Sequence, residues 1–354
     1  MKANATLEAA TALVVTALLT PLLIWFCHRW QVLDFPGRLK IHARPIPRLG
    51  GVAVVLAIVV AALLCQPVAA QFEWPFFASL GLIWASGLVD DIRGLSPIPR
   101  LAAQIVGATL LWTAGWRVAL PVGGIPSFLI TCFFVVLLVN SFNFLDGADG
   151  IAAGIAGIIA IAYAMFPGAT GYSFSSGLAF SLAGACAGFL LYNLPPAKMF
   201  LGDSGSNALG LMIAFLALDF WRSQAAVRTV PALLFPFLLC ALPLLDAALT
   251  ILRRIGRLNS PLKGDRSHFY DLLLARGCSP VQVALFCYMV TIVLAGIALK
   301  ERGMSPIEAF AVSVLSFAGL AVIEVRLGSL RAAENARPVV VSARAASNKR
   351  VPAP

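Results

Sequence analysis

What most constrains this chain is that its apolar residues come in blocks. About eleven runs, at roughly 8–27, 49–66, 74–89, 101–116, 125–140, 151–166, 175–192, 204–220, 229–250, 281–299 and 305–325, are separated by short breaks rich in Gly, Pro, Asn, Asp or Arg. A helix needs roughly 17 to 25 apolar residues to cross a bilayer, and in lipid it must satisfy its own backbone hydrogen bonds. The pattern therefore predicts an all-α, polytopic integral membrane protein with about eleven transmembrane helices, ten being the other count. Hydrophobic residues make up 60% of the chain and charged ones 12%, which leaves no room for a large soluble domain. The first run follows a single basic residue, Lys2, and ends among Trp25, His28, Arg29 and Trp30 without a small-residue cleavage site. That suits a retained membrane anchor better than a cleaved signal peptide.

The charges give an expected orientation. Of the twenty-six Lys and Arg residues, twenty fall in the segments after the first, third, fifth, seventh, ninth and eleventh runs. The positive-inside rule then puts the amino terminus outside and the carboxyl terminus in the cytoplasm. A transmembrane domain over 1–326 is expected, followed by a basic, disordered cytoplasmic tail over 327–354 that is rich in Ala, Arg, Ser and Pro. The net charge of +10 is no signature of nucleic-acid binding, because the cations sit in short loops against a bilayer. The seven cysteines lie mostly inside apolar runs with no metal-type spacing, and read as core-packing residues.

The aspartates are segregated too. Asp34, Asp90, Asp91, Asp146, Asp149, Asp203, Asp246, Asp265 and Asp271 fall on or near the expected cytoplasmic side, and Asp219 alone on the other. The rule counts Lys and Arg, so this clustering is independent of it. The densest stretch is NSFNFLDGADG at 140–150, directly after the apolar TCFFVVLLV. If it continues a helix, Asn143, Asp146 and Asp149 share one face; a solvated loop with an Asp-Gly turn is the other reading. An ionised carboxyl at mid-bilayer costs on the order of 2.5 to 3.5 kcal/mol, so such a cluster belongs at the membrane edge, in a wet cavity or around a cation. FLGDSGS at 200–206 puts Asp203 where a helix begins, with an ordinary N-cap as its bland role.

Several Asp residues and an Asn near one surface, with Lys and Arg around them and no Cys/His cluster, suit a hard cation with oxygen ligands. Mg²⁺ fits best, with Mn²⁺ as the alternative, because Mg²⁺ is typically held by one or two carboxylates plus substrate phosphates. Phosphoryl transfer needs such a metal, positive charge for the phosphate oxygens and a positioned nucleophile. Adjacent Asp90 and Asp91 are candidates for a base or an orienting pair; a solvated loop opening is the plainer account. His268, among Lys263, Asp265 and Arg266, is a candidate phosphate contact, with His42 between Lys40 and Arg44 a weaker one.

Five motifs in order, DFPGRLKIHARPIPRLGG (34–51), LVDDIRG (88–94), NSFNFLDGADG, FLGDSGS and DRSH (265–268), carry a specific resemblance. Over about 34–280 the chain resembles the polyprenyl-phosphate N-acetylhexosamine-1-phosphate transferases. That superfamily holds undecaprenyl-phosphate GlcNAc-1-phosphate transferases and the phospho-MurNAc-pentapeptide transferase. The resemblance implies attack of undecaprenyl phosphate on a UDP-N-acetylhexosamine, with Mg²⁺ required, at a site facing the cytoplasm in a bacterial inner membrane. It implies Asn143 and Asp203 as metal ligands and Asp90 as the group that activates the lipid phosphate; Asp91 and His268 join Asp90 as catalytic candidates on their own chemistry. It implies that Asp146 and Asp149 help bind the nucleotide and that Phe200 stacks on uracil; the basic Arg266, Lys40 and Arg44 are expected to bind substrate phosphate, and a homodimer is compatible with this. One departure stands out: these GlcNAc-1-phosphate transferases typically read His-Ile-His-His after Asp-Arg-x, whereas here His268 is followed by Phe269, Tyr270 and Asp271. The adjacent histidines of the peptidoglycan enzyme are absent as well, which favours the O-antigen initiating branch and GlcNAc, FucNAc or QuiNAc over MurNAc-pentapeptide. A transporter or flippase for an anionic solute is the rival reading; it calls for ionisable groups near mid-membrane reached from both sides.

Overall fold

The computed structural model describes residues 2–37, 42–65, 73–118, 123–166, 174–224, 229–256, 267–301 and 303–330, with no side-chain description for 2–4. The tail from 331 onward, Lys40, Asp265 and Arg266 lie outside them.

Each of the eleven apolar runs forms helix: α1 (Lys2–Trp30), α2 (Gly50–Cys65), α3 (Trp74–Arg93), α4 (Pro97–Thr113), α5 (Gly124–Leu145), α6 (Ile151–Met165), α7 (Phe174–Asn193), α8 (Gly202–Ser223), α9 (Val230–Leu239) with α10 (Ala241–Gly256), α12 (Pro280–Glu301) and α13 (Pro306–Arg326). Between the last runs lies a short α11 (Phe269–Ala275), and Leu33–Asp34 (β1) pairs antiparallel with Ile46–Pro47 (β2). The chain is an all-α, polytopic membrane protein. Among the described residues, seven helices are long and apolar enough to cross a bilayer, or eight if α9 and α10 count as one broken span. Three of the other helices are shorter over the described residues: α2 has 16 residues, α6 has 15 and α4 has 17.

The run at 229–250 reads as one span but bends by 69° between α9 and α10. Pro236 lies inside α9 and Pro243 near the start of α10, and each removes a helical N–H donor.

Helix α8 forms the centre, packed by α3, α5, α2 and α6. Its far end is pinned by Asp219, which accepts from Trp116 Nε1 at 2.9 Å and from the Ser175 hydroxyl, with Arg222 over the Trp116 ring at 5.1 Å. Its first turn lies at the opposite end, beside the last turn of α3 and the last turn of α5. Helix α1 runs toward that same end, since the β1 strand that follows it carries Asp34, ion-paired with Arg48. Helix α13 also finishes there, where Arg253 of α10 donates to the Ser329 carbonyl at 2.6 Å. The start of α1 and the end of α13 thus lie at opposite ends of the bundle.

Candidate active site

The site is built at the first turn of α8. Gly202 takes a positive φ of 75°, and a Cβ there would lie 2.4 Å from the Arg48 carbonyl oxygen, so only glycine fits. The turn it starts is capped from another helix. Asp91 Oδ1 accepts from Asp203 N at 2.9 Å, and Asp91 Oδ2 accepts from Ser204 N at 3.0 Å and Ser204 Oγ at 2.7 Å. A carboxylate on the free N–H groups of a helix start satisfies orphan donors and opposes the positive end of the dipole. Asp203 is therefore not its own N-cap; no side-chain cap bond is made from its helix, and its carboxylate is left for other partners.

Those partners come from three helices. Arg100, in the first turn of α4, donates from Nη1 to Asp90 Oδ2 at 2.5 Å and to Asp203 Oδ2 at 2.7 Å, and from Nη2 to Asn143 Oδ1 at 3.4 Å. Asn143, near the end of α5, donates from Nδ2 to Asp203 Oδ1 at 2.6 Å and to Ser206 Oγ at 3.0 Å. Asp90 is further held by the Leu95 amide, and its carbonyl accepts from Arg48 Nη2 at 2.9 Å. Adjacent in sequence, Asp90 and Asp91 thus face different partners: Asp90 the shared cation, Asp91 the helix terminus.

Asn143, Asp146 and Asp149 do not lie on one continuous helix. Helix α5 ends at Leu145, Asp146 is its C-cap, and the turn through Gly147 and Gly150 carries Asp149. Glycines at 147 and 150 stop the helix that a period of three suggests. Burial, then the negative charges of Asp203, Asp91 and Asp149, push the Asp146 carboxyl well above the usual carboxylate range. Burial also raises Asp149, which accepts from the Ala197 amide at 2.9 Å.

Phe200 stands in the loop before α8, its backbone tied to Pro47 and Gly50 and its ring edge-on to His42 at 5.1 Å. His42 Nε2 lies 2.8 Å from Asp34 Oδ2, and Arg44 is exposed beside it. His268 is buried apart from the carboxylates. Its Nδ1 is 2.7 Å from Asp246 Oδ2, and Asp246 Oδ1 accepts from Phe269 N at 3.1 Å. The imidazole reaches the main cluster through aromatic neighbours: it lies 5.4 Å from the ring of Phe144, the residue after Asn143, and stacks on Tyr270. Of the sequence-predicted site residues, Asp90, Asp91, Asn143 and Asp203 come into direct contact, with Asp146 close enough to feel their charge.

Arg100, Arg48, Ser204 and Ser206 are absent from the sequence-derived set, and Asp34 and Asp246 enter it only among the one-sided acids, with no site role. Arg100 sits behind Ser-Pro-Ile-Pro in the same break as the Asp pair and counts there only as a loop cation. Asp246 had a signal, being an ionisable residue inside an apolar run.

Asp90, Asp203 and the Asn143 amide oxygen converge on one cationic group. Two carboxylates and an amide suit a hard divalent ion, which takes oxygen ligands and completes its shell with water or phosphate. Among the described residues no three His, Cys, Asp or Glu side chains gather into a fuller cage.

The sequence profile of glycosyl transferase family 4 matches residues 74–221, the segment that carries Asp90, Asp91, Arg100, Asn143 and Asp203. A decaprenyl-phosphate N-acetylglucosaminephosphotransferase of Mycobacterium tuberculosis is 35% identical over 319 residues, covering 80% of this chain and 79% of its own. The chain belongs to glycosyl transferase family 4. This family 4 transferase is also 26% identical, over 82% of its length and 83% of the relative's, to a probable undecaprenyl-phosphate N-acetylglucosaminyl 1-phosphate transferase of Bacillus subtilis. A phospho-N-acetylmuramoyl-pentapeptide-transferase of Moorella thermoacetica is 34% identical over a shorter stretch, 58% of this chain and 73% of its own. The protein is thus a membrane-embedded sugar-phosphate transferase.

Proposed function

We propose that this transferase moves an N-acetylhexosamine-1-phosphate from a UDP-sugar to undecaprenyl phosphate and releases UMP. The sugar is GlcNAc or a deoxy N-acetyl sugar such as FucNAc or QuiNAc. The reaction starts a lipid-linked envelope polysaccharide of the O-antigen type, at the cytoplasmic face of a bacterial inner membrane. The observation that carries this reading is the convergence of Asp90, Asp203 and Asn143 on one cation position at a single end of the bundle. There a lipid phosphate at the membrane edge and a soluble diphosphate can meet.

Asp203 and Asn143 would hold Mg²⁺, or Mn²⁺ in its place, with Asp90 beside them. When bound, the ion supplies positive charge to bridging phosphate oxygens. The chain's own groups do the rest. Asp91 fixes the first turn of α8 so that Asp203 has one orientation. Arg48 holds the backbone of Asp90 from the β2–α2 side. In the transfer, a lipid phosphate oxygen forms a bond to the sugar-bearing phosphorus, and the bond from that phosphorus to the bridging oxygen of UMP breaks. The lipid phosphate is largely ionised at neutral pH if its second pKa is about 6, as in a phosphate monoester; Asp90 then acts by placing it more than by deprotonating it. Asp146, Asp149 and Phe200 line the approach for the nucleotide. The absence of consecutive histidines after Asp265-Arg266 supports a sugar other than MurNAc-pentapeptide.

Membranes holding the protein, given Mg²⁺, undecaprenyl phosphate and a panel of UDP-sugars, are expected to release UMP with at least one sugar. Asp203→Ala and Asn143→Ala are each expected to abolish release while the protein stays folded and inserted. Absence of turnover with every sugar, together with solute uptake into vesicles, would favour a transporter instead.

A further inference from the structure

We infer that Arg100 is a built-in stand-in for the divalent ion: its guanidinium holds Asp90, Asp203 and Asn143 in the metal-ready arrangement and must leave Asp203 for the ion to bind. This rests on the transferase reading only for the identity of the ion's donors. The geometry comes from the chain. One nitrogen, Nη1, bonds two carboxylates from different helices at 2.5 and 2.7 Å, while Nη2 faces the Asn143 amide oxygen at 3.4 Å. A planar, permanently charged fork is suited to bridging carboxylates in this way. Asp203 is also pressed by the charges of Asp91 and Asp90, so without a cation between them the three acids repel. Arg100 relieves that repulsion by offering Asp203 a positive charge, one where a divalent ion would bring two.

The two cations therefore compete for Asp203. When the ion enters, Arg100 keeps its bond to Asp90 and gives up the one to Asp203, so metal loading and arginine release are one exchange. The ion meets donors that are already gathered, at the cost of displacing the group that gathered them.

The test is metal binding by the purified full-length protein in detergent, without substrate, read as free Mn²⁺ by electron paramagnetic resonance. With the competitor and its positive charge removed, Arg100→Gln is expected to bind Mn²⁺ about tenfold more tightly than wild type, the scale of one charged hydrogen bond. In thermal melts it should start less stable than wild type and gain more from added Mn²⁺. Unchanged or weaker Mn²⁺ binding by Arg100→Gln would overturn the inference. If that variant does not fold, Arg100→Lys carries the test, because a single ammonium bridges both carboxylates less well; a smaller gain in affinity is expected, and none overturns the proposal. UMP release measured in parallel separates the two readings. A wild type that turns over, with Arg100 variants binding Mn²⁺ no more tightly, sinks this inference alone. Tighter binding by the variants with no turnover by wild type sinks the transferase reading alone.

Discussion

Asp246 and His268 show how much a residue's neighbours decide its use. The carboxylate of Asp246 takes the Nδ1 side of the imidazole and the Phe269 amide, so it both orients His268 and caps the short helix α11. Its partner on Nδ1 sets which ring nitrogen carries the proton. Replacement by Asn keeps the shape and loses the charge. Asp246→Asn is expected to lower kcat/KM for UMP release on the order of tenfold, the lower end of what removing an orienting carboxylate costs. Asp246→Glu should recover part of the loss. An unchanged kcat/KM in Asp246→Asn would separate the dyad from the reaction.

Asp146 and Asp149 belong to the same scale, and here pH is the probe. Both carboxyls lie above their usual range, Asp146 through burial and neighbouring negative charge. Each holds its proton more tightly folded than unfolded. Their contribution to stability is therefore full below the unfolded pKa of about 4 and is lost as pH rises through the raised folded value. The ligand-free protein should melt at a lower temperature as pH is raised from about 4 through that window, and Asp146→Asn should flatten the slope. Turnover runs the other way on the proposed function, in which Asp146 and Asp149 act as ionised carboxylates toward the nucleotide. UMP release should fall on acidification while pH is still above the ordinary carboxylate range.

At the scale of elements, the position of Asp203 depends on how closely α2 and α3 approach the first turn of α8. A Cβ added at Gly51 would lie 2.2 Å from Gly205 N, and one at Gly87 would lie 2.5 Å from the Asp203 carbonyl oxygen. Both obstacles are backbone and cannot rotate away. Gly51→Ala and Gly87→Ala are each expected to destabilise the protein by roughly 1 to 3 kcal/mol, the range for overpacking, and to depress UMP release by moving the turn. Gly81→Ala is the control in α3, since nothing lies within 4 Å of its added Cβ, and a helical Gly→Ala there is neutral or mildly stabilising. Equal melting temperatures for all three variants would show that the close approach has slack.

For the whole molecule, the two ends of the bundle differ in chemistry. One gathers Asp34, Arg48, Asp90, Asp91, Arg100, Asn143 and Asp203; the other is tied by Asp219, Trp116, Ser175 and Arg222. Helix α3 runs between them, with Trp74 exposed at one end and Arg93 at the other. A membrane-impermeant maleimide should label Arg93→Cys from the cytoplasmic face alone and Trp74→Cys from the opposite face. Five of the seven native cysteines are buried and two half-buried, which keeps the background low. Labelling of both positions from one face would defeat the proposed placement of the site.

Apolar runs by themselves fixed the fold class, because in lipid a backbone has few ways to satisfy its hydrogen bonds other than a helix. The motifs around Asp90, Asn143 and Asp203 were readable as motifs, since they are local features of composition and spacing. Tertiary structure decided the rest. Only packing shows that α9 and α10 break at 69° and that Asp91 caps a helix from 112 residues away. Only packing brings Arg100 between Asp90 and Asp203, 103 positions apart from the latter in sequence. Spacing records which residues share a helix face, whereas a cation held by three helices depends on how those helices meet, and one sequence read along its length carries no local mark of that.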